Sequence, residues 1–402
     1  MKIVWLTRVQ LAEGNEFSGH IRSRLEMCRH LAERGHKLHL LAHGKHHQYW
    51  TEESARPYKI TALPVRSGKI GKILNALSLV KNAVALSKQC LPDFFIIEDH
   101  AIFPLLPLAI FSKLGLLSSR WVLDIRSFPT DTYQTHWCEV WQGKYRWKLN
   151  VAKKIFSGLT VITPFMRKLL SDQMGIPEKD IGIWSSGVDL MEFQPRNGKK
   201  MREAHGLENR FVVMYHGSLA WHRGLKETWE AVLSLIHTCP DMVYVVLGND
   251  SNEEERAVAL QLEKLSRESG AEKHFLFLRG VPYQMVAEYL AMADIGVSSY
   301  HHLICHRTAS PLKVLEYLAM EKSVAVIDME SHRDLLGGAP FAFYAAAADA
   351  ANIAVALKNA YYQRMALGQL GKGGRDLVKK SFAWKSQADR LESFLLRLSN
   401  KC

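Results

Sequence analysis

Two short stretches in the second half of this 402-residue chain place cations and a carboxylate where helices begin. In "HGSLAWHRGLKETWEAV" (216–232), Gly217 and Ser218 close an apolar run, and Arg223, with Lys226 three residues on, stands at the start of an amphipathic pattern. Cations prefer a helix C-terminus. Two at an N-terminus point to an anion shared with the free backbone N–H groups, the alternative being an ordinary solvated loop. "SPLKVLEYLAMEKSVAVID" (310–328) repeats the arrangement: Ser310 suits an N-cap, Pro311 the first helical position, and Lys313 adds charge. Glu316 is too far along for a capping box with Ser310. On a helix facing a ligand it would accept hydrogen bonds from vicinal hydroxyls, as a ribose offers; otherwise it faces solvent.

Other familiar chemistries find no footing. The first apolar run is not followed by G-x-G-x-x-G, and no G-x-x-x-x-G-K-[ST] occurs, which argues against dinucleotide and P-loop sites. Neither H-E-x-x-H nor D-x-D occurs, so no metal site is indicated. "GKGGRD" (371–376) follows no strand and reads as a helix C-cap or turn. The six cysteines, at 28, 90, 138, 239, 305 and 402, form no C-x-x-C pair and read as free thiols of a reducing compartment.

The elements that must hold these residues alternate regularly. Apolar runs near 2–6, 37–42, 58–63, 93–98, 120–125, 158–162 and 180–184 read as strands, with helices at 19–34, 72–90, 101–114, 137–156 and 164–174 between them. Pro, Gly and charge break the rhythm over 192–210. It restarts at 211–217 and continues with strands near 242–247, 274–278, 294–299, 323–327 and 341–344. Such alternation predicts α/β structure with two doubly wound, mainly parallel sheets. The expected division is 1–195 and 196–380, with the amphipathic C-terminal helix within 381–402 packing on something already built. Ligands of such sheets bind beyond the carboxyl ends of strands, so a central cleft faced by both domains is the expected site.

Charge separates the halves. Residues 1–198 hold 27 Lys and Arg against 17 Asp and Glu; residues 199–402 hold 25 against 23. The basic half would meet something anionic: nucleic acid, a membrane face or a phosphorylated substrate. No nucleic-acid motif supports the first, and none is expected as partner. "PVRSGKIGKILNALSLVKNAVALSKQ" (64–89) joins an apolar face to five Lys and Arg and no acids. It reads as an interfacial helix on anionic lipid, with "WQGKYRWKLNVAKKIF" (141–156) adding to it, or as a core-facing helix with a solvated basic face. The N-terminus lacks the apolar run of a signal peptide, and the longest apolar stretch, 101–111, is short of the ~20 residues that span a bilayer. A cytoplasmic protein, peripheral on the inner face of the cell membrane, is expected.

Five segments in order resemble glycosyltransferase family 4, whose fold is GT-B. They are "VITPFMRKLLSDQMGIPEKDIGIWSSGVDLMEFQP" (161–195), "HGSLAWHRGLKE" (216–227), "FLRGVPYQMVAEYLAMADIGVSSY" (277–300), "SPLKVLEYLAMEKSVAV" (310–326) and "FAWKSQADRLESFLLRL" (382–398), the last similar to the helix that crosses back to the first domain. The resemblance implies retaining, metal-independent transfer from a nucleotide-sugar, UDP- or GDP-linked, to a glycan or lipid-linked acceptor in cell-surface polysaccharide synthesis, with no further cofactor. On the donor side it implies that Arg223 neutralises the diphosphate, beside Gly217 and Ser218. Backbone amides from Ala309 through Ser310 to Leu312 hold phosphate oxygens, with Lys313 nearby. Glu316 takes the ribose hydroxyls, and Gly280 and Val281 line the base pocket. Two positions depart from the family: Thr308 stands where the first Glu of E-x7-E would be, and Ser218 where an Arg often follows the strand-end Gly. Arg307, His306 or Lys313 are the candidates to compensate.

On the acceptor side, "AEGNEFSGHIRSR" (12–24) offers Gly19, His20 and Arg22. In "VLDIRSFPTD" (122–131), Arg126 stands where many relatives have a His beside the reacting sugar, and His100 ends the preceding strand. Two rivals stay open: a GT-B epimerase acting on a sugar nucleotide, and a degenerate subunit that scaffolds an active partner.

Overall fold

The computed structural model describes residues 1–11, 19–44, 56–127, 137–249 and 252–400. The apolar runs form two sheets in which every pairing is parallel. The first is built from β1 (Lys2–Leu11), β2 (Lys37–Gly44), β3 (Lys59–Leu63), β4 (Phe94–Glu98), β5 (Arg120–Ile125), β6 (Gly158–Val161) and β7 (Ile181–Ile183) in the order β3-β2-β1-β4-β5-β6-β7. Each residue of β4 is buried. That is the signature of a strand covered on both faces, and it explains the unbroken FFII run.

The covering helices are α1 (Gly19–Glu33), α2 (Gly68–Cys90), α3 (Ile102–Lys113), α4 (Trp137–Ile155) and α5 (Pro164–Met174). Leu79 of α2, Leu105 of α3, Leu149 of α4 and Leu170 of α5 join Leu41, Phe95 and Leu123 in one core, so these four helices share a face of the sheet. Thr163 caps α5 by accepting from the Met166 N–H at 3.2 Å, with Pro164 at the first helical position.

The second sheet holds β8 (Phe211–Ser218), β9 (Met242–Asn249), β10 (Phe275–Leu278), β11 (Ile295–Ser298), β12 (Ser323–Ile327) and β13 (Ala342–Ala345) in the order β10-β9-β8-β11-β12-β13. Its helices are α6 (Lys199–Ala204), α7 (Leu225–Leu235), α8 (Glu253–Glu268), α9 (Tyr283–Leu290), α10 (Ile304–Arg307), α11 (Leu312–Ala319), α12 (Glu330–Leu336), α13 (Ala350–Tyr362) and α14 (Leu367–Ser381). Trp229, Leu262 and Leu357 belong to the core on one face, and Leu290, Leu315 and Val378 to the core on the other. The last helix, α15 (Trp384–Ser399), packs on α1 and β7 of the first sheet.

Two compact units result: Met1–Ser186 with Trp384–Cys402, and Gly187–Ala383. Residues 187–195, expected with the first domain, pack in the second. The Val188 N–H donates to the Phe382 carbonyl at 2.9 Å, and Arg375 donates to the Phe193 carbonyl at 3.0 Å.

Two further expectations are corrected. The stretch 371–376 lies inside α14, not at its cap. Its glycines serve close packing: a Cβ on Gly371 would sit 1.9 Å from the Glu321 carbonyl oxygen. Within 192–210, residues Lys199–Ala204 are helical, and Arg202 bridges Asp294 at 2.8 Å and the Met292 carbonyl at 2.6 Å.

Candidate functional site

In the second sheet the chain runs outward from β8 through β9 to β10, then returns to lay β11 beside β8. Loops leaving β8 and β11 therefore part in opposite directions, which opens a crevice at their carboxyl ends. The two cation-bearing stretches of the sequence are those two loops.

Their backbones are stitched together. Gly224, at φ +72°, turns the chain into α7; a Cβ there would lie 1.9 Å from the Ser299 carbonyl oxygen. Ser299 Oγ donates to the Gly224 carbonyl at 3.0 Å and lies 2.7 Å from Thr228 Oγ1. The His301 N–H donates to the His222 carbonyl at 3.1 Å.

Around this seam lie the charged groups. Lys313, in the first turn of α11, is 6% exposed. Its Nζ lies 3.6 Å from the Tyr215 ring centre and 5.1 Å from that of Tyr300, and among the described residues it has no hydrogen-bond partner. Burial, reinforced by the Arg223 cation, holds this ammonium well below the ordinary lysine range, with Glu316 acting against the shift. Gly217, at φ +110°, lies close by: a Cβ there would come 3.8 Å from Nζ. Arg223 donates to the Tyr300 hydroxyl at 3.1 Å, and its Nε has no partner among the described residues. Two cations thus converge on one aromatic pair, with the exposed Gly217–Ser218 end of β8 beside them. Such an arrangement repels itself when empty and is relieved by an anion.

Glu316 is the carboxylate of the cluster. Its Oε2 lies 2.6 Å from Nε2 of His216, the residue that ends the apolar part of β8. The His216 ring packs edge-on to Tyr317 at 4.8 Å, and Tyr317 donates to the Met214 carbonyl at 2.7 Å. Glu316 is therefore oriented by strand β8 and is not left to solvent.

The departures at 308 and 218 become concrete. Thr308 is buried, and its hydroxyl donates back to the Ile304 carbonyl at 2.7 Å. Arg307 turns to Glu330 at 2.9 Å, and Lys226 pairs with Glu230 at 3.5 Å, so neither joins the cluster. His306 does approach. It stacks on Tyr300 at 4.5 Å and on His222 at 4.9 Å, its Nε2 lying 2.8 Å from His222 Nδ1. Burial, then the neighbouring His222 and Arg223, push His306 down to about 3, so it is a neutral imidazole at physiological pH.

The N-cap of α11 falls on Pro311, one residue later than expected. Ala309 and Ser310 are half-buried and lead into it, with Leu312 at the helix start. Gly280 and Val281 follow β10, two strands from β8 and so about 10 Å across the sheet edge. Gly280 is exposed, and Val281 packs against the core beneath.

In the first unit the corresponding reversal lies between β1 and β4. His100 follows β4, its ring 6.3 Å from that of His43. Gly19 and His20 open α1, the His20 side chain falling outside the described residues; Arg22 is half-buried. Arg126, just past β5, lies 3.5 Å over the Trp184 ring and donates to its carbonyl at 2.7 Å. Desolvation pulls this guanidinium down to about 9 against the pull of Asp124, so it stays a cation at neutral pH. Asp124 is buried and accepts from Thr160 at 2.8 Å and from the Trp184 indole at 3.1 Å. A second buried pair, Arg24 with Glu98 at 2.7 Å, ties α1 to β4, and the Arg24 cation keeps the Glu98 carboxyl near 2 despite burial. Sequence reasoning passed over Arg24, Glu98, His216, Tyr215 and Tyr300. Only position signalled the last three, Tyr215 and His216 in the second half of β8 and Tyr300 just past β11.

Comparison with known proteins decides the family. The profile "Glycosyltransferase Family 4" matches residues 18–192, and "Glycosyl transferases group 1" matches 197–376. The chain belongs to glycosyltransferase family 4. Its curated relatives are distant. It is 23% identical over 248 residues to the GDP-mannose-dependent alpha-(1-6)-phosphatidylinositol monomannoside mannosyltransferase of Mycolicibacterium smegmatis, covering 59% of this chain and 61% of that protein. It is 23% identical over 182 residues to the putative glycosyltransferase YtcC of Bacillus subtilis, 42% of each. The matches thus span less than two thirds of either relative. Among solved structures, this family-4 chain superposes on a glycosyltransferase from Rickettsia africae with TM-score 0.77 and 13% identity, covering 100% of this chain and 99% of that one. It superposes on Anabaena HepE in complex with UDP with TM-score 0.76 and 13% identity, over 99% and 100%. The fold is GT-B, two Rossmann-like domains.

Proposed function

We propose that this family-4 protein transfers a sugar from a nucleoside-diphosphate sugar to a glycan or lipid-linked acceptor, and that the β8–β11 crevice binds the donor. The observation that carries this reading is the pair of cations, Arg223 and the buried Lys313, which has no hydrogen-bond partner among the described residues, converging where two parallel strands part. Glycosyl transfer passes through an oxocarbenium-like state while negative charge grows on the departing diphosphate. Fixed donors at that position stabilise the charge as it develops, without reorganisation. In this reading Arg223 and Lys313 supply them, with the Ser310 and Leu312 amides adding backbone N–H groups beside the exposed Gly217–Ser218 end of β8; the Ala309 N–H is spent on the His306 carbonyl at 3.2 Å, and Pro311 has none. Glu316, held by His216, accepts from the ribose hydroxyls, and Gly280 and Val281 border the base.

Two fixed cations supply the neutralisation that a divalent ion supplies in other transferases, which supports metal-independent transfer. Retention at the anomeric carbon, by front-side attack with the leaving phosphate taking the acceptor's proton, is the expected stereochemistry. His100, Arg126 and the start of α1, with Gly19, His20 and Arg22, serve the acceptor. The named substrate of the mycobacterial relative and the UDP held by HepE support a GDP- or UDP-linked donor, and a role in cell-surface polysaccharide synthesis fits the lipid-linked acceptor class.

Incubating the protein with UDP-, GDP- and ADP-sugars, alone and with lipid-linked acceptors, tests the reading. One donor should bind and yield a transferred sugar of retained configuration. Epimerised donor without transfer would reassign the protein as an epimerase. Failure to bind any nucleoside diphosphate would make it a scaffold, with Thr308 marking the lost site.

A further inference from the structure

The helices α2 and α3 carry apolar residues on the side where a surface helix should be polar. α2 buries Leu79, Ala83 and Leu86 against the sheet. On its opposite side, at the i, i+3, i+4, i+7 spacing of one helical face, stand Ile70, Ile73, Leu74 and Leu77, exposed by 75, 61, 41 and 59%. α3 packs beside α2 and repeats the pattern: Phe103, Pro107, Ile110 and Phe111 are exposed along one face, and Leu114 continues it. A helix apolar all round belongs in a core or against something equally apolar.

The surrounding charge has one sign. Arg66, Lys69, Lys72, Lys81 and Lys88 are all exposed, and residues 64–92 contain no Asp or Glu. Residues 100–123, which include α3, contain none either, while Lys113 is exposed at its end. Lys81 and Lys88 lie on the same outward face as Ile70 and Leu77, further along α2.

We infer that this face docks the first domain onto an anionic lipid bilayer, the apolar side chains entering the acyl boundary and the lysines meeting the headgroups. Among the described residues no helix is long and apolar enough to cross a membrane, so α2 and α3 would lie on it. A second copy of the chain fits less well, because a two-fold contact would oppose like charges. α2 and α3 begin directly after the carboxyl ends of β3 and β4, so Ile70 and Phe103 lie toward the sheet edge that bears His100. A docked domain would thus hold that edge near an acceptor carried in the lipid. This last point rests on the proposed transferase reading; the docking itself does not.

Sedimentation of the 402-residue chain with vesicles tests it. Phosphatidylcholine vesicles should leave the protein in solution, and vesicles of equal parts phosphatidylcholine and phosphatidylglycerol should carry it down, less so in high salt. The variant Ile70→Ser, Leu74→Ser, Leu77→Ser should bind the anionic vesicles about tenfold or more weakly, with an unchanged melting temperature, since the exchanged side chains are solvent-exposed. Arg223→Ala should bind them as the parent does, which separates docking from donor chemistry. The proposal falls if the parent chain ignores anionic vesicles, or if the triple variant binds them equally well. It also falls if the triple variant converts a dimer to a monomer without either protein touching lipid, which would assign the face to a second copy. Binding to an acidic protein alone would likewise overturn it.

Discussion

Replacing Lys313 by Met should move activity and stability in different directions. The ammonium is buried against Tyr215 and Tyr300 without a hydrogen-bond partner among the described residues, and Arg223 stands across the Tyr300 ring. A phosphate oxygen placed ~4 Å from Nζ would interact by about 4 kcal/mol at an effective dielectric near 20. Part of that offsets desolvation of the phosphate. The expected net loss of transition-state stabilisation on removing the cation is therefore about 2–4 kcal/mol, or roughly 30- to 1000-fold in kcat/KM. The folded protein without donor gains instead. Met has a similar length and packs well against aromatic rings, and the uncompensated charge is gone. The lost cation–π attraction, up to ~2 kcal/mol, works the other way. The melting temperature should accordingly stay level or rise by a few degrees, at ~2–4 °C per kcal/mol for a unit of this size. Donor turnover and calorimetric titration with the nucleoside diphosphate would be measured beside thermal unfolding. Undiminished turnover at full donor affinity would refute the phosphate role. A fall of several degrees in melting temperature would show that the ammonium is a structural cation.

Arg223→Ala should lower turnover at least about a hundredfold with the fold intact, because one fixed donor to the leaving group is lost; circular dichroism beside the rate separates this from unfolding. Diphosphate affinity should depend on pH through Lys313. Free Lys313 is held below its ordinary range by burial, whereas a bound diphosphate favours the ammonium, so binding takes up a proton wherever free Lys313 is neutral. Affinity should be flat below the free value, fall as pH rises above it, and lose this fall in Lys313→Met, as titrations from about pH 6 to pH 10 would show. His306, pushed down to about 3, stays neutral throughout that window and contributes nothing to it. Gly371→Ala should cost about 1–3 kcal/mol of stability in thermal unfolding, because its Cβ would strike the Glu321 carbonyl, while activity per folded molecule is unchanged.

Much of the fold was legible because parallel strands buried on both faces must be apolar runs of limited length, and helices between them must be amphipathic. The runs at 93–98 and 120–125 appear as β4 and β5 within a residue, and the helix at 164–174 has the expected bounds. Local signals failed where a distant partner sets the conformation. The glycines of 371–376 look like helix-breaking residues, yet they sit inside α14, where the Glu321 turn presses against Gly371 and the Leu318 side chain against Gly374. Residues 187–195 gave no local sign of which unit they join; bonds to Phe382 and Arg375, nearly two hundred residues on, decide it.

The site divides in the same way. Residue type and position after a strand were enough to single out Arg223, Lys313 and Glu316, because cations at helix starts and a carboxylate one turn in are uncommon choices with few structural uses. The sequence could also say that Thr308 breaks the family pattern. It could not say that Glu316 is held by His216, a hundred residues earlier, that Arg307 turns away to Glu330 while His306 stacks inward, or that Lys313 has no hydrogen-bond partner among the described residues. Those facts depend on which strands lie side by side. Placing β11 next to β8 brings two remote loops within a few ångströms, and only there do separate charges become a cluster whose self-repulsion and burial make it a receptor for an anion.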